Sequence, residues 1–96
     1  MNKYSFTKLI CDLSQCGLIS FTPHPDHIKV NLSELILSGQ HPYEIYLHEF
    51  GDMNKNGKRV LRIDGSDIPK DIKLVGRSIV LTTNSQVFKG IVVHSE

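Results

Sequence analysis

Short stretches in which every second residue is apolar recur along this chain, each closed by glycine, proline, asparagine or aspartate, and none sustains a helical period. Residues 8–13 alternate Leu9, Cys11 and Leu13 with Lys8, Ile10 and Asp12, the period of a half-buried strand. Residues 14–17 read as a turn and 18–22 as a second strand. Pro23 and Pro25 make 23–26 a loop, because proline fixes φ and removes a ladder donor. Residues 27–32 give a third strand. Ser33 caps at most one helical turn over 33–37, too short to stand alone, and Gly39 and Pro42 break it. Residues 43–50 form the fourth strand, with Ile45 and Leu47 on one face and Tyr46 and His48 on the other. A turn rich in residues tolerant of positive φ follows at 52–57. Residues 58–64 resume as a strand with Val60 expected on the buried face. Residues 65–73, containing Pro69, read as loop. Residues 75–83 and 86–94 pair across Asn84-Ser85, a two-residue hairpin expected to be type I′. About seven antiparallel strands without a helix predict an all-β, antiparallel sandwich or flattened barrel.

Ninety-six residues predict one domain spanning 1–96, with a core that buries about 60–65% of the unfolded surface. Apolar residues at 40% and charged residues at 22% describe a globular chain. A net charge of +1 gives no electrostatic argument for nucleic acid or anionic membrane, and no apolar run reaches the ~20 residues of a membrane span. Residues 1–8 are polar, without the apolar centre of a secretory signal, so a cytoplasmic domain with reduced thiols is expected.

Cys11 and Cys16 are too close in sequence to staple distant parts of a fold. Cys11 alternates with core positions and reads as a small buried hydrophobe; Cys16, at a hairpin tip, is the candidate reactive thiol, with nothing nearby to lower its pKa. His24, Asp26 and His27 share one proline-bounded loop and His41 lies in the next. They are candidate metal ligands, although solvated loop residues is the simpler reading, since no cysteine joins them and the spacing matches no finger or helical pattern. His94 reads as an exposed tail residue. No acid–base pair, nucleophile–base spacing or glycine-rich phosphate loop stands out.

The segment Tyr46-Leu47-His48-Glu49-Phe50-Gly51-Asp52 resembles the His-Val-His-Glu-Phe-Gly-Asp strand of the Cu/Zn superoxide dismutases. Lys8-Leu9-Ile10-Cys11 is similar to the family's first strand, and Asn54-Lys55-Asn56-Gly57 to its Asp-Lys-Asp-Gly turn. Leu74-Val75-Gly76-Arg77-Ser78-Ile79-Val80 is similar to its Ile-Ile-Gly-Arg-Thr-Leu-Val segment, and Gly90-Ile91-Val92 to its closing strand. These pieces follow the family order and cover most of the chain. The resemblance implies the family's Greek-key sandwich with much of its chemistry removed. Tyr46 and Thr82 stand where copper histidines belong, Gln86 where the anion-attracting arginine belongs, and Lys89 where a disulfide cysteine belongs. The loop that carries the zinc ligands and the long electrostatic loop are both missing. His48 is then the one copper-ligand position retained, and a lone imidazole beside a phenol and a hydroxyl does not hold a redox copper. The resemblance therefore implies a protein that is not an enzyme and has no cofactor. The alternative it leaves is a small copper-binding or copper-buffering protein using His48 and loop histidines.

The same depletion is found in the superoxide dismutase-like proteins of poxviruses, which are thought to act by protein contacts, in the virion or on host copper-handling proteins. The two-fold dimer face of the dismutases corresponds here to Ile10 and Asp12, Phe50 and Gly51, Val75 and Gly76, and Ile91 with Val93. Strand alternation sets Ile10, Ile91 and Val93 opposite a core of Leu9, Cys11, Leu13, Phe88 and Val92. An exposed apolar cluster marks a contact surface; the competing reading is that Tyr4 and Phe6 cover part of it. Asp12 departs from the apolar family pattern. The partners implied are a second copy, or the copper chaperone or dismutase of a host cell, since the family's chaperone docks through that face; neither nucleic acid nor membrane is expected.

Overall fold

The computed structural model describes residues 8–36, 42–51 and 57–95. Eight antiparallel strands form one sheet: β1 (Leu9–Asp12), β2 (Leu18–Pro23), β3 (His27–Asn31), β4 (Tyr43–His48), β5 (Arg59–Arg62), β6 (Ile68–Pro69), β7 (Ser78–Thr83) and β8 (Val87–His94). Their order across the sheet is β5-β4-β7-β8-β1-β2-β3-β6, so the first and last long strands pair at its centre and β4 pairs with β7 rather than with β3. The described residues contain no helix; residues 33 and 34 form a turn, and Leu35 makes an isolated bridge to Gly17.

The sheet curls because its inner face carries the apolar alternation on nearly every strand. Leu9 and Cys11 of β1, Ile19 and Phe21 of β2, Ile45 and Leu47 of β4, Ile79 and Leu81 of β7 and Val92 of β8 join Ile28, Val30 and Ile68 from the far side in a single core. Each such side chain stabilises the fold by about 1.5–3 kcal/mol. Phe88 packs against this core half-buried. β2 is buried on both faces, and Ser20 Oγ on its outer face finds no hydrogen-bond partner among the described residues.

Several local expectations are corrected. The eighth strand, β6, lies within the segment read as loop: Ile68 is buried, and its backbone pairs with Ile28. β4 and β5 slip register between the His48–Arg59 and Leu47–Leu61 pairs. One step on β4 thus opposes two on β5, which makes Val60 the extra residue of a bulge. Val60 is consequently exposed, and Leu61 takes the inward position. The Asn84-Ser85 hairpin is not type I′, because neither residue has positive φ. Thr83 supplies what the primed turn would have: its N–H donates to the Gln86 carbonyl, and its Oγ1 accepts from the N–H groups of Ser85 and Gln86. The positive-φ pair falls instead at Ser14 (29°) and Gln15 (71°), between β1 and β2. Asp12 supports this turn through Oδ1, which accepts from Ser14 N–H at 3.0 Å. The turn also carries Cys16 inward, so that thiol is buried rather than presented at a tip. Tyr4, Phe6, Leu37, His41 and most of the 52–57 turn lie outside the described residues.

Candidate functional site

The end of β4 organises the outer face. His48 stands opposite Ser78 of β7 and Arg59 of β5, and its Nδ1–H donates to the Gly57 carbonyl at 3.2 Å. Tyr46 faces Val80 and Arg62, and Thr82 faces Glu44. By strand parity Tyr46, His48 and Thr82 share the outer face. The Arg59 guanidinium lies over the Tyr46 ring, 4.1 Å from its centroid, so the phenol is engaged in a cation–π contact. Gln86 is exposed in the β7–β8 turn.

The loop histidines lie elsewhere. His24 and His27 stack with ring centroids 4.6 Å apart and planes 5° from parallel, at the turn between β2 and β3. His27 Nδ1 lies 2.6 Å from Asp26, and its Nε2 lies 3.7 Å from Asp67, just before β6. The His27 contact holds the Asp26 carboxyl below the usual aspartate range. Parallel stacking keeps the two rings from converging their nitrogens on one point. Among the described residues no group of three or more His, Cys, Asp or Glu side chains is arranged to hold a metal. His94 is exposed at the end of β8, opposite Leu9. Burial pushes the Cys11 thiol up to about 12 and raises that of Cys16, so neither is a poised nucleophile.

The remaining sequence candidates come together beyond β4. A methyl group placed on Gly51 would sit 2.2 Å from the Gly76 carbonyl oxygen and 3.2 Å from Ile91 Cγ2, so the Gly51 and Gly76 backbones meet beside the Ile91 side chain. Ile91 pairs with Ser78 of β7, and Val93, two residues on in β8, pairs with Ile10 of β1. Phe50, 48% exposed, lies against Gly57, and Val93 is 47% exposed. Ile10 and Ile91 are half-buried, while Val75 turns partly inward to pack on the core. Arg77 braces this region from behind. Its Nε donates to the Lys73 carbonyl at 2.6 Å and its guanidinium NH1 to the Glu49 carbonyl, tying the chain before β7 to the chain after β4. Gly76 N–H donates to Val92 and Val92 N–H to Arg77, closing the same corner. Asp12, exposed at the rim, is occupied with its own turn.

The bracing role of Arg77 and the bulge at Val60 were not visible in the sequence, since both depend on where the backbone carbonyls of other strands fall. No family model, curated protein or solved structure matches the chain.

Proposed function

We propose that this chain is a catalytically inactive, superoxide dismutase-like protein that works by protein contact through the Phe50–Gly51 corner. The observation carrying this reading is the corner where Gly51 meets the Gly76 carbonyl and the Ile91 side chain, with Val93 paired to Ile10 on the same sheet face and Phe50 exposed next to Gly51 in the chain. An apolar cluster left exposed yet rigidly braced suits a contact surface. The antiparallel sheet in which β4 pairs with β7 and β1 with β8 supports the dismutase type of Greek key. Tyr46 stacked under Arg59 and Thr82 facing Glu44 support the reading that copper redox chemistry is gone. The occupant is a second copy in a two-fold pair, or a copper chaperone or dismutase of a host cell, for which the chain acts as a metal-less decoy. A role as a virion component uses the same face.

The test is capture of a purified copper chaperone and of a Cu/Zn dismutase by this protein and by its Phe50→Glu variant. Complex formation lost in the variant is the expected result; a complex indifferent to the change contradicts the shared-face reading.

One observation favours a second reading, a small copper-buffering protein. With His48 Nδ1 committed to the Gly57 carbonyl, Nε2 is left as a lone-pair donor on the outer face. Titration with Cu(I) and Cu(II) separates the two: stoichiometric sub-micromolar binding abolished by His48→Ala supports the buffer, and its absence removes it.

A further inference from the structure

Three consecutive residues at the end of β4 grip Gly57 and Lys58, just before β5. His48 Nδ1–H donates to the Gly57 carbonyl at 3.2 Å. Glu49 N–H donates to the Lys58 carbonyl at 3.0 Å, and Lys58 N–H donates to Glu49 Oε1, also at 3.0 Å. The third grip is steric. A methyl group placed on Gly57 would lie 2.6 Å from Phe50 Cδ2 and 2.8 Å from both Phe50 Cε2 and Glu49 Oε1. The Phe50 ring therefore lies on the Gly57 backbone in the space where any other residue would carry its Cβ. Gly57 has a φ of +76°, which glycine adopts freely.

The chain on either side of Phe50 is held separately. Arg77 holds the Glu49 carbonyl, and Gly51 closes against the Gly76 carbonyl. Those contacts fix the backbone at Phe50, whereas its exposed ring is steadied by Gly57. An exposed side chain that must be ordered on binding loses affinity, and one already ordered does not. The position of Gly57 in turn depends on His48 and Glu49. The two ring nitrogens of His48 are separable here. A carbonyl partner requires the proton on Nδ1, so the grip on Gly57 uses Nδ1 and leaves Nε2 out.

We infer that His48 is a positioning residue for the contact surface: its Nδ1–H, together with Glu49, clasps Gly57 and Lys58 and so seats the Phe50 ring for a partner protein. The use of the seat rests on the contact reading given above; the seat itself does not. An imidazole at position 48 then has work that involves no copper. Asparagine can do the same work, because its Nδ2–H falls close to where the imidazole carries Nδ1–H, while it has nothing in place of Nε2. Alanine cannot.

The test compares His48→Ala, His48→Asn and Gly57→Ala with the parent by two readouts. His48 is half-buried and Gly57 exposed, so these variants keep the fold. The first readout needs no partner: the nuclear Overhauser effect between the Phe50 ring protons and the Hα of residue 57. It is expected in the parent and in His48→Asn, and lost in His48→Ala and Gly57→Ala. The second is affinity for a purified copper chaperone, and for a second copy by sedimentation. The dissociation constant is expected to rise about fivefold or more in His48→Ala, the worth of one hydrogen bond, and to stay at the parent value in His48→Asn. A ring contact that survives His48→Ala, a complex as tight in His48→Ala as in the parent, or a complex weakened equally by His48→Ala and His48→Asn would overturn the inference. If the parent forms no complex at all, the contact reading fails instead, and the ring contact alone decides whether His48 seats Phe50.

Discussion

Gly51→Ala is the substitution that most directly tests how the contact corner is built. Gly51 is not among the residues with positive φ, so its backbone accepts a side chain without strain. The obstacle is space. The added Cβ would lie 2.2 Å from the Gly76 carbonyl oxygen, where an ordinary carbon–oxygen contact needs about 3.3 Å. Relief of about 1 Å must come from backbone, because Gly76 has no side chain to swing aside. That backbone is pinned by the Gly76–Val92 and Arg77–Leu74 hydrogen bonds. Overpacking costs about 1–3 kcal/mol and one disrupted hydrogen bond about 1 kcal/mol more, giving a loss of about 3 kcal/mol. With a urea slope of roughly 1.5 kcal/mol/M, the unfolding midpoint falls by about 2 M. Gly76→Ala is the control. Its φ of +87° strains an alanine, yet nothing lies within 4 Å of the added methyl, so its cost is about 1 kcal/mol. Equilibrium urea unfolding followed by circular dichroism measures both. A Gly51→Ala midpoint within about 0.3 M of the parent, or a larger loss in Gly76→Ala, refutes the packing argument.

Three further outcomes are expected. Ser20→Ala is neutral or stabilising by up to about 1 kcal/mol in the same assay, because it removes a buried hydroxyl that has no partner among the described residues; a loss above about 1 kcal/mol would show that the hydroxyl is bonded after all. Neither Cys11 nor Cys16 reacts with Ellman's reagent in the native protein at pH 8, and both react in denaturant; fast native labelling of Cys16 contradicts its burial. The Asp26 carboxyl titrates below the usual aspartate range by NMR, and His27→Gln returns it there. Because the folded value is the lower one, this carboxylate's contribution is complete above the unfolded value and is lost as pH falls through the folded value. An unchanged Asp26 titration in His27→Gln removes that contact as the cause.

The strands were legible because alternation is a property of side chains. Leu9, Cys11 and Val92 could be set inward from sequence alone, and Ile45 and Leu47 put together on one face; all five are buried. What escaped depends on backbone hydrogen bonding between distant residues. Val60 looks as apolar as Leu61, and only the slip in register against Leu47 and His48 decides which of them faces the core. β6 is too short to show a period, and its existence rests on Ile68 finding the core beside Ile28. Asn84-Ser85 carries primed-turn residues, but the Thr83 hydroxyl stabilises the other turn more locally. At the contact corner, alternation alone set Ile10, Ile91 and Val93 outward. The approach of Gly51 to the Gly76 carbonyl was out of reach of alternation, because both residues sit outside the strands. Asp12 looked like a defect in the surface; its hydrogen bond to Ser14 gives it a reason in the turn.

A protein that works through a contact surface shows it most directly in its state of association in solution. Sedimentation velocity over a range of concentrations, alone and mixed with a copper chaperone, should reveal a complex that needs no added copper and that Phe50→Glu dissolves. A protein that stays monomeric under both conditions, or that associates only when copper is added and irrespective of Phe50, would contradict it.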